Sequence, residues 1–232
     1  IEAAVEEGRR IFDNLTKFFV WTLPTNGGEG LVIVVSVLMG TGVALPVLPV
    51  QILWINMTTA VLLGLMLAFE RKEADVMMRP PREPDSSILT GVLIQRIILV
   101  SVLMLTGVFT LFLLKKQAGA DLAEARTVAV NLIVMIELFY LFNCRSLRHS
   151  MRSLGLFSNP WVIGGSAAMI GLQLLFTYSP WMNALFHSAP LSIEDWAVIV
   201  AVSVSVSLVV GAEKWFRERF GVRVPAGKGG KG

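Results

Sequence analysis

The sequence has few charged residues and few of the side chains that bind soft metals. Of its 232 residues, 16% are charged, two are histidines and Cys144 is the single cysteine. A soluble domain usually has about 25% charged residues, so the composition excludes an ordinary soluble enzyme and a nucleic-acid binder. A single cysteine cannot form an intrachain disulfide. His149 and His187 each stand alone, and we expect both at the surface.

Long apolar runs dominate the chain instead. Hydrophobic residues make up 54% of it, and a membrane-spanning helix needs about 20 mostly apolar residues. Six such segments are predicted, at residues 16–39, 48–69, 89–114, 125–142, 160–178 and 196–212. The first two are joined by a short, turn-rich stretch and must form an antiparallel hairpin. The predicted fold class is an all-α membrane protein with a six-helix transmembrane bundle.

The distribution of lysine and arginine predicts the orientation of these spans. If the start of the chain is cytoplasmic, all 20 basic residues lie at the cytoplasmic side except Lys115, Lys116 and Arg126. Cytoplasmic loops carry such an excess of positive charge. We therefore predict a multi-pass protein of the plasma membrane with both termini in the cytoplasm.

The same pattern divides the chain into five parts. Residues 1–15 are predicted as a cytoplasmic stalk helix, 16–69 as a hairpin that holds an ion site, and 70–88 as a cytoplasmic loop. Residues 89–212 would form a four-helix bundle, and 213–232 a cytoplasmic tail. Trp215, Phe216 and Phe220 in this tail suit an anchor at the membrane interface.

Two carboxylates lie inside predicted spans, Glu29 in the first and Glu137 in the fourth. Ionisable residues in such positions are candidates for function, although each could instead be protonated or paired with a neighbouring helix. Asn26 and Pro24 precede Glu29, and three glycines lie between residues 27 and 30. Proline and glycine weaken a helix, so we expect the first helix to be partly broken, with carbonyl oxygens freed as ligands. The glycines are equally compatible with close helix packing.

The second span carries a similar polar patch, consisting of Asn56, Thr58 and Thr59. Thr58 has an alternative role, since threonine hydroxyls in helices often bond to the carbonyl of the preceding turn. The hairpin is expected to bring Asn56 and Thr59 beside Glu29. Carboxylate, amide and hydroxyl oxygens are ligands for hard cations such as Ca²⁺, Mg²⁺, Mn²⁺, Na⁺ or K⁺. The two carboxylates could also carry protons in counter-transport.

Four motifs in this order resemble the P-type cation-transporting ATPases. The fifth transmembrane helix of that family is similar to EEGRRIFDN at residues 6–14 followed by PTNGGE at 24–29. The sixth resembles QILWINMTT at 51–59, the loop after it DVMMRPPR at 75–82, and the eighth IELFYLFN at 136–143. The resemblance covers nearly the whole chain, and it implies a fragment with helices five to ten of a ten-helix pump.

The resemblance also implies a set of cation ligands. In calcium pumps of this family the ions bind between the fourth, fifth, sixth and eighth helices. The matching positions here are Asn26, Glu29, Asn56, Thr59 and Glu137. Ca²⁺ is the favoured ion on this basis. However, Ala60 stands where the calcium pumps have an aspartate that serves both of their sites. We therefore expect at most one nearly complete site, made from Asn26, Glu29, Thr59 and Glu137, whereas Asn56 would serve a second site that needs the absent fourth helix.

An ATP-driven pump needs parts that this sequence lacks. It contains neither a DKTGT phosphorylation motif nor a TGE motif, so we expect that the fragment alone does not hydrolyse ATP. Mg-ATP would bind only in the missing domains. The implied partners are the actuator, phosphorylation and nucleotide domains and the first four helices of the same pump, together with the lipid bilayer; no nucleic acid is expected. Two other functions stay open, a secondary cation carrier and a structural membrane subunit.

Overall fold

Helices account for all the regular structure in the described part of the chain. The computed structural model describes residues 1–40, 44–73, 75–78, 90–146 and 158–220. Its elements are α1 (Glu2–Leu38), α2 (Pro49–Thr59), a π-helical segment (Ala60–Gly64), a 3₁₀ helix (Leu65–Phe69), α3 (Gly91–Gln117), α4 (Leu122–Cys144), α5 (Pro160–Tyr178), α6 (Pro180–Phe186) and α7 (Ile193–Phe220). Six helical segments are long and apolar enough to cross a membrane, with α2 and its two continuations forming the second. The predicted six-span fold is therefore confirmed.

Several sequence predictions concern residues that the structure does not describe. These are Arg79 and Arg82 in the loop, Arg148, His149 and Arg152 after α4, and residues 221–232 of the tail. One described element, α6, lies outside the predicted spans. Pro180 starts it, as proline does at a first helical position, and His187 ends it in the left-handed region with φ at 54°. His187 is exposed, as predicted.

Helix α4 is the centre of the bundle. It is buried along most of its length, and it contacts α3 and α7 most extensively, with α1 and α2 also against it. A helix that is apolar on all sides is stable only when other elements or lipid surround it. Its start is fixed by Asp121, whose side chain accepts a hydrogen bond from the backbone N–H of Glu124 at 2.7 Å. Polar side chains on α4 therefore point into the protein.

Helix α1 runs without a break through Pro24, so the prediction of a broken first helix is wrong. Proline removes the donor that would pair with the carbonyl of Val20. The hydroxyl of Tyr140, on α4, donates to that carbonyl at 2.8 Å. The glycines serve close packing instead, because a Cβ on Gly28 would lie 2.5 Å from the sulfur of Met104 on α3. Neighbouring side chains thus allow the helix to continue.

The break in the hairpin lies in its second arm. After Thr59 the α-helix widens into the π-helical segment and then tightens into the 3₁₀ helix. Such π-segments are frequent at functional sites. Two glycines let neighbouring elements approach it: a Cβ on Gly165 of α5 would lie 2.1 Å from the carbonyl oxygen of Leu62, and one on Gly64 would lie 2.7 Å from the ring of Trp21. The partly broken hairpin is therefore held between α1 and α5.

A buried ion pair fixes the end of the bundle where the second span finishes. Arg145 binds Glu70 with Nε–Oε2 at 3.1 Å and Nη2–Oε1 at 3.0 Å, and both side chains are 1% exposed. Asn159 donates to the same carboxylate at 3.0 Å. The amide of Asn14 donates to the carbonyls of Ala68 at 3.0 Å and Glu70 at 2.9 Å. This ties the span to α1, α4 and the start of α5.

The close approach of α5 to the π-helical segment predicts the effect of Gly165→Ala. The added methyl group must displace the backbone at Leu62, and such overpacking costs about 1–3 kcal/mol. Thermal unfolding of the purified full-length protein in detergent should show a lower midpoint. Gly164→Ala is the matched control, because a Cβ there has no neighbour within 4 Å. Equal midpoints for the two variants would contradict the packing described here.

The buried pair predicts a second stability effect. Arg145→Met leaves the Glu70 carboxylate without its main partner, and breaking a buried pair costs about 3–5 kcal/mol. Lys72→Met is the control, since the Lys72–Glu6 pair at 2.6 Å is exposed, and such pairs contribute about 0–1 kcal/mol. Detergent-solubilised protein should lose cooperative unfolding or shift strongly downward for the first variant only. A shift of similar size for both would show that the Glu70 pair is not a structural anchor.

Candidate cation site

Glu29 of α1 and Glu137 of α4 meet inside the bundle. Both residues are buried, with 4% of Glu29 and 1% of Glu137 exposed, and the two carboxyl groups are close enough to interact directly. An ionised carboxylate only accepts hydrogen bonds and repels a second one nearby, so a proton shared between the two groups would stabilise the contact. Without that proton, Oε1 of Glu29 and Oε2 of Glu137 have no hydrogen-bond donor. The pair therefore needs a proton or a cation between its oxygens.

The second span contributes one neutral side chain to each carboxyl group. The Nδ2 of Asn56 donates to Oε2 of Glu29 at 2.6 Å, while the Thr59 side chain lies beside the carboxyl group of Glu137. Because the Asn56 nitrogen is the donor, its amide oxygen is left to accept. Thr58 does not take part, since its hydroxyl donates to the carbonyl of Trp54 at 2.7 Å. That is the alternative role considered for Thr58 from the sequence.

The structure brings four of the five predicted residues together, but not Asn26. Glu29 is buried, whereas Asn26 is exposed and forms no side-chain hydrogen bond within the described residues. Three residues along an α-helix leave two side chains about 60° apart, which is enough to turn Asn26 out of the α1–α4 contact. Ala60 is also exposed and lines an apolar groove between α1 and the second span.

The donor set fits a hard cation. Two carboxylates, an amide oxygen and a hydroxyl are ligands of the kind that Ca²⁺ and Mg²⁺ prefer, and two negative charges can neutralise one divalent ion. In the part of the chain that the structure describes, no three His, Cys, Asp or Glu side chains cluster as a metal site. The four side chains brought together include neither a thiolate nor an imidazole, the ligands that softer metals prefer.

Backbone carbonyls contribute less than the sequence suggested. The carbonyl freed by Pro24 is that of Val20, and it accepts from Tyr140. The carbonyl of Pro24 itself accepts from the hydroxyl of Ser101 at 2.9 Å. Both acceptors are satisfied by neighbouring helices, so the expectation that Pro24 provides carbonyl ligands is not met at these two positions.

Two aromatic residues beside the site were not predicted. Tyr140 bonds to α1 as described above, and the indole N–H of Trp21 donates to the backbone carbonyl of Glu137 at 3.0 Å. Tyr140 could have been found, because it follows Glu137 by three residues and so lies near it on the helix surface. Trp21 gave no signal, since a tryptophan in an apolar span is ordinarily a packing residue.

Comparison with known proteins identifies the family. A family model described as "Cation transporting ATPase, C-terminus" matches residues 44–216. The chain is 56% identical over 213 residues, 92% of its length, to a "Probable cation-transporting ATPase F" of Mycobacterium tuberculosis. The chain belongs to the P-type cation-transporting ATPases. It is the C-terminal membrane part of such a protein, as the sequence motifs predicted, and is thus an integral, multi-pass membrane protein.

Two further relatives are less similar, and one of them is named for an ion. It is 37% identical over 204 residues, 85% of its length, to the "Cation-transporting ATPase pma1" of Synechocystis. It is 34% identical over 206 residues, 88% of its length, to a "Calcium-transporting ATPase" of Bacillus subtilis. The chain spans only 22–23% of the length of these relatives. The remaining three quarters or more of each of these relatives has no counterpart within this chain.

The paired carboxyl groups predict different outcomes for two substitutions of Glu137. Glutamine can donate to Glu29 and so replaces the shared proton, and we expect Glu137→Gln to unfold near the wild-type midpoint. Leucine leaves the buried Oε1 of Glu29 without a donor, which costs about 1–3 kcal/mol. Thermal unfolding of the full-length protein in cation-free detergent solution compares the two. A glutamine variant that is as unstable as the leucine variant would refute the carboxyl–carboxyl contact.

Proposed function

We propose that this chain is the membrane part of an ATP-driven cation pump and supplies oxygen ligands for a hard cation, with Ca²⁺ favoured. The proposed ligands are Asn26, Glu29, Asn56, Thr59 and Glu137. The observation that carries the proposal is the contact between two buried carboxyl groups, each with a neutral partner from the broken second arm. Family membership favours a pump over a secondary carrier.

The geometry supports an exchange of protons for a cation at this pair. One proton shared by the two carboxyl groups reduces their combined charge from −2 to −1, which lowers the cost of burying them. A divalent cation that enters between them would take over that neutralisation, and the shared proton would leave. Asn56 then keeps Glu29 oriented through its amide nitrogen and turns its amide oxygen to the ion. The π-helical segment directly after Thr59 is the element whose rearrangement would open or close this site.

Two features bear on the choice of ion. The oxygen donor set suits Ca²⁺, and relatives such as that of Bacillus subtilis are named calcium-transporting. The Mycobacterium relative, at 56% identity, is named only as cation-transporting. Ala60 contributes no oxygen to the site, and for this reason we propose a single cation site. Asn26 completes it only if α1 turns or another part of the pump covers its exposed side.

We propose cytoplasmic termini and a location in the plasma membrane, and the charges at the two ends support the proposed orientation. Lys115 and Arg126, predicted outside, lie at the end of the bundle where α3 finishes and α4 starts. Lys115 pairs there with Glu124 at 2.8 Å and with Asp195 at 2.7 Å, which reduces the positive charge at that end. The opposite end keeps the larger basic surplus, as a cytoplasmic side does.

The proposed partners are the other parts of the same pump and the bilayer. These parts are the actuator, phosphorylation and nucleotide domains, which would bind Mg-ATP, and the first four transmembrane helices. An apolar groove of about 540 Å³ between α1 and the second span offers a place for one of those helices. It is lined by side chains of both elements, among them Ile11, Phe18, Val61 and Leu65.

The test is cation-stimulated ATP hydrolysis by the full-length pump. Wild type, Glu29→Gln and Glu137→Gln are compared across chlorides of Ca²⁺, Mn²⁺, Mg²⁺, Na⁺ and K⁺. We expect one ion to stimulate the wild type, and both variants to need at least tenfold more of it or to lose the response, because each lacks one of two charged ligands. The ion that stimulates is thereby identified.

Glu124→Gln is the matched control for this test. Glu124 lies on the same helix as Glu137 but pairs with Lys115 at the far end of the bundle, so its variant should respond like the wild type. If Glu29→Gln and Glu137→Gln keep the full response, the carboxyl pair is structural and the proposal is wrong. A response to no cation in the wild type would also refute it.

A further inference from the structure

Two hydrogen bonds connect α1 and α4 in opposite directions beside the carboxyl pair. The Trp21 indole of α1 donates to the backbone carbonyl of Glu137 at 3.0 Å. The Tyr140 hydroxyl of α4 donates to the backbone carbonyl of Val20 at 2.8 Å. The donors are buried, with 2% of Trp21 and 0% of Tyr140 exposed. Each helix thus gives one donor and one acceptor to the other.

Backbone carbonyl oxygens accept both bonds, so the bonds fix the register of the two helices. In the contacts between α1 and α4, residue numbers fall along α1 as they rise along α4: Glu29 meets Glu137, and Val20 meets Tyr140. The helices are accordingly antiparallel here. Side chains tilt toward the start of their own helix, so Glu29 and Glu137 reach toward each other. A sliding movement between the helices changes the separation of their carboxyl oxygens directly.

The sequence supplies a reason for the tyrosine. Pro24 leaves the Val20 carbonyl without its helical donor, and a buried carbonyl without a partner destabilises the fold. The Tyr140 hydroxyl takes the place of that missing N–H. Because Tyr140 follows Glu137 by three residues, one turn of α4 carries both the ligand and the group that holds it against α1.

We propose that Trp21 and Tyr140 are positioning residues for cation binding. They hold α1 and α4 in the register that sets the distance between the carboxyl oxygens of Glu29 and Glu137, and thereby the affinity for the cation. Neither side chain touches the cation. This inference rests on the proposed function of the carboxyl pair and adds what determines its geometry.

The experiment measures cation affinity and maximal rate separately in the full-length pump. Tyr140→Phe removes one hydroxyl oxygen, and Trp21→Phe removes the indole N–H. Half-maximal stimulation of ATP hydrolysis is measured with the chloride among Ca²⁺, Mn²⁺, Mg²⁺, Na⁺ and K⁺ that stimulates the wild type most. We expect each variant to need about 3–10 times more cation, which is the effect of one hydrogen bond. The maximal rate at saturating cation should stay within twofold of the wild type.

The chain contains a matched pair of controls. The Tyr178 hydroxyl also donates to a backbone carbonyl, that of Leu191, at 2.9 Å, and the Trp196 indole donates to Tyr178 at 2.9 Å. Tyr178→Phe and Trp196→Phe remove the same chemical groups, but the bonds they remove connect α5 with α7 and with the segment before α7. They should leave the half-maximal cation concentration unchanged. Thermal unfolding in cation-free buffer records the purely structural cost of all four variants.

The outcomes separate this inference from the proposed function. If Glu29→Gln weakens the cation response but Tyr140→Phe and Trp21→Phe do not, the carboxyl site stands and the positioning role is wrong. The role is also wrong if the control variants weaken the response as much, or if only the maximal rate falls. If the Tyr140→Phe protein does not fold, Trp21→Phe decides the question. Its lost bond is accepted by Glu137, so the Val20 carbonyl keeps its donor. If no cation response depends on Glu29, both proposals fail together.

Discussion

Two carboxyl groups that face each other in an apolar bundle constrain the rest of this structure. Burying two charges without compensation is too costly to be stable, so Glu29 and Glu137 need either a shared proton or a cation. The second span places one neutral side chain beside each group: Asn56 donates to Glu29, and Thr59 lies beside Glu137. In the function we propose, the proton and the cation would compete for the same oxygens, so the pair would distinguish a loaded site from an empty one.

The second span contains an irregular segment next to the carboxyl pair and is held at its end by buried polar contacts. The π-helical and 3₁₀ segments directly after Thr59 depart from α-helical geometry, and such irregular segments often mark hinges or functional sites. The end of the same span is held by the Glu70–Arg145 pair and by Asn14. Movement of the second arm is thereby confined to the turns next to the site. A change at the carboxyl pair can therefore be transmitted to α1 and α4 rather than lost in the loop.

The sequence predicts the spans well, because about 20 consecutive apolar residues have few alternatives to a membrane helix. It also singles out Glu29 and Glu137 as candidates, since carboxylates in such runs are rare, and the structure brings these two residues together. Prediction from the sequence fails where contacts between distant parts of the chain determine the local structure. Pro24 was expected to break α1, but Tyr140, more than 100 residues away along the chain, supplies the missing donor. Asn26 shares the sequence signal of Glu29 and yet points elsewhere, because a spacing of three residues leaves an angular offset.

The central claim is that Glu29 and Glu137 hold the transported cation between them. The most direct measurement is an experimental structure of the full-length pump with the stimulating cation bound, located by its anomalous scattering or by that of Mn²⁺ in its place. The account predicts a peak between the two carboxyl groups, about 2.0–2.6 Å from an oxygen of each, and loss of their mutual hydrogen bond. A cation bound elsewhere in the membrane part, with Glu29 and Glu137 still bonded to each other, would contradict it.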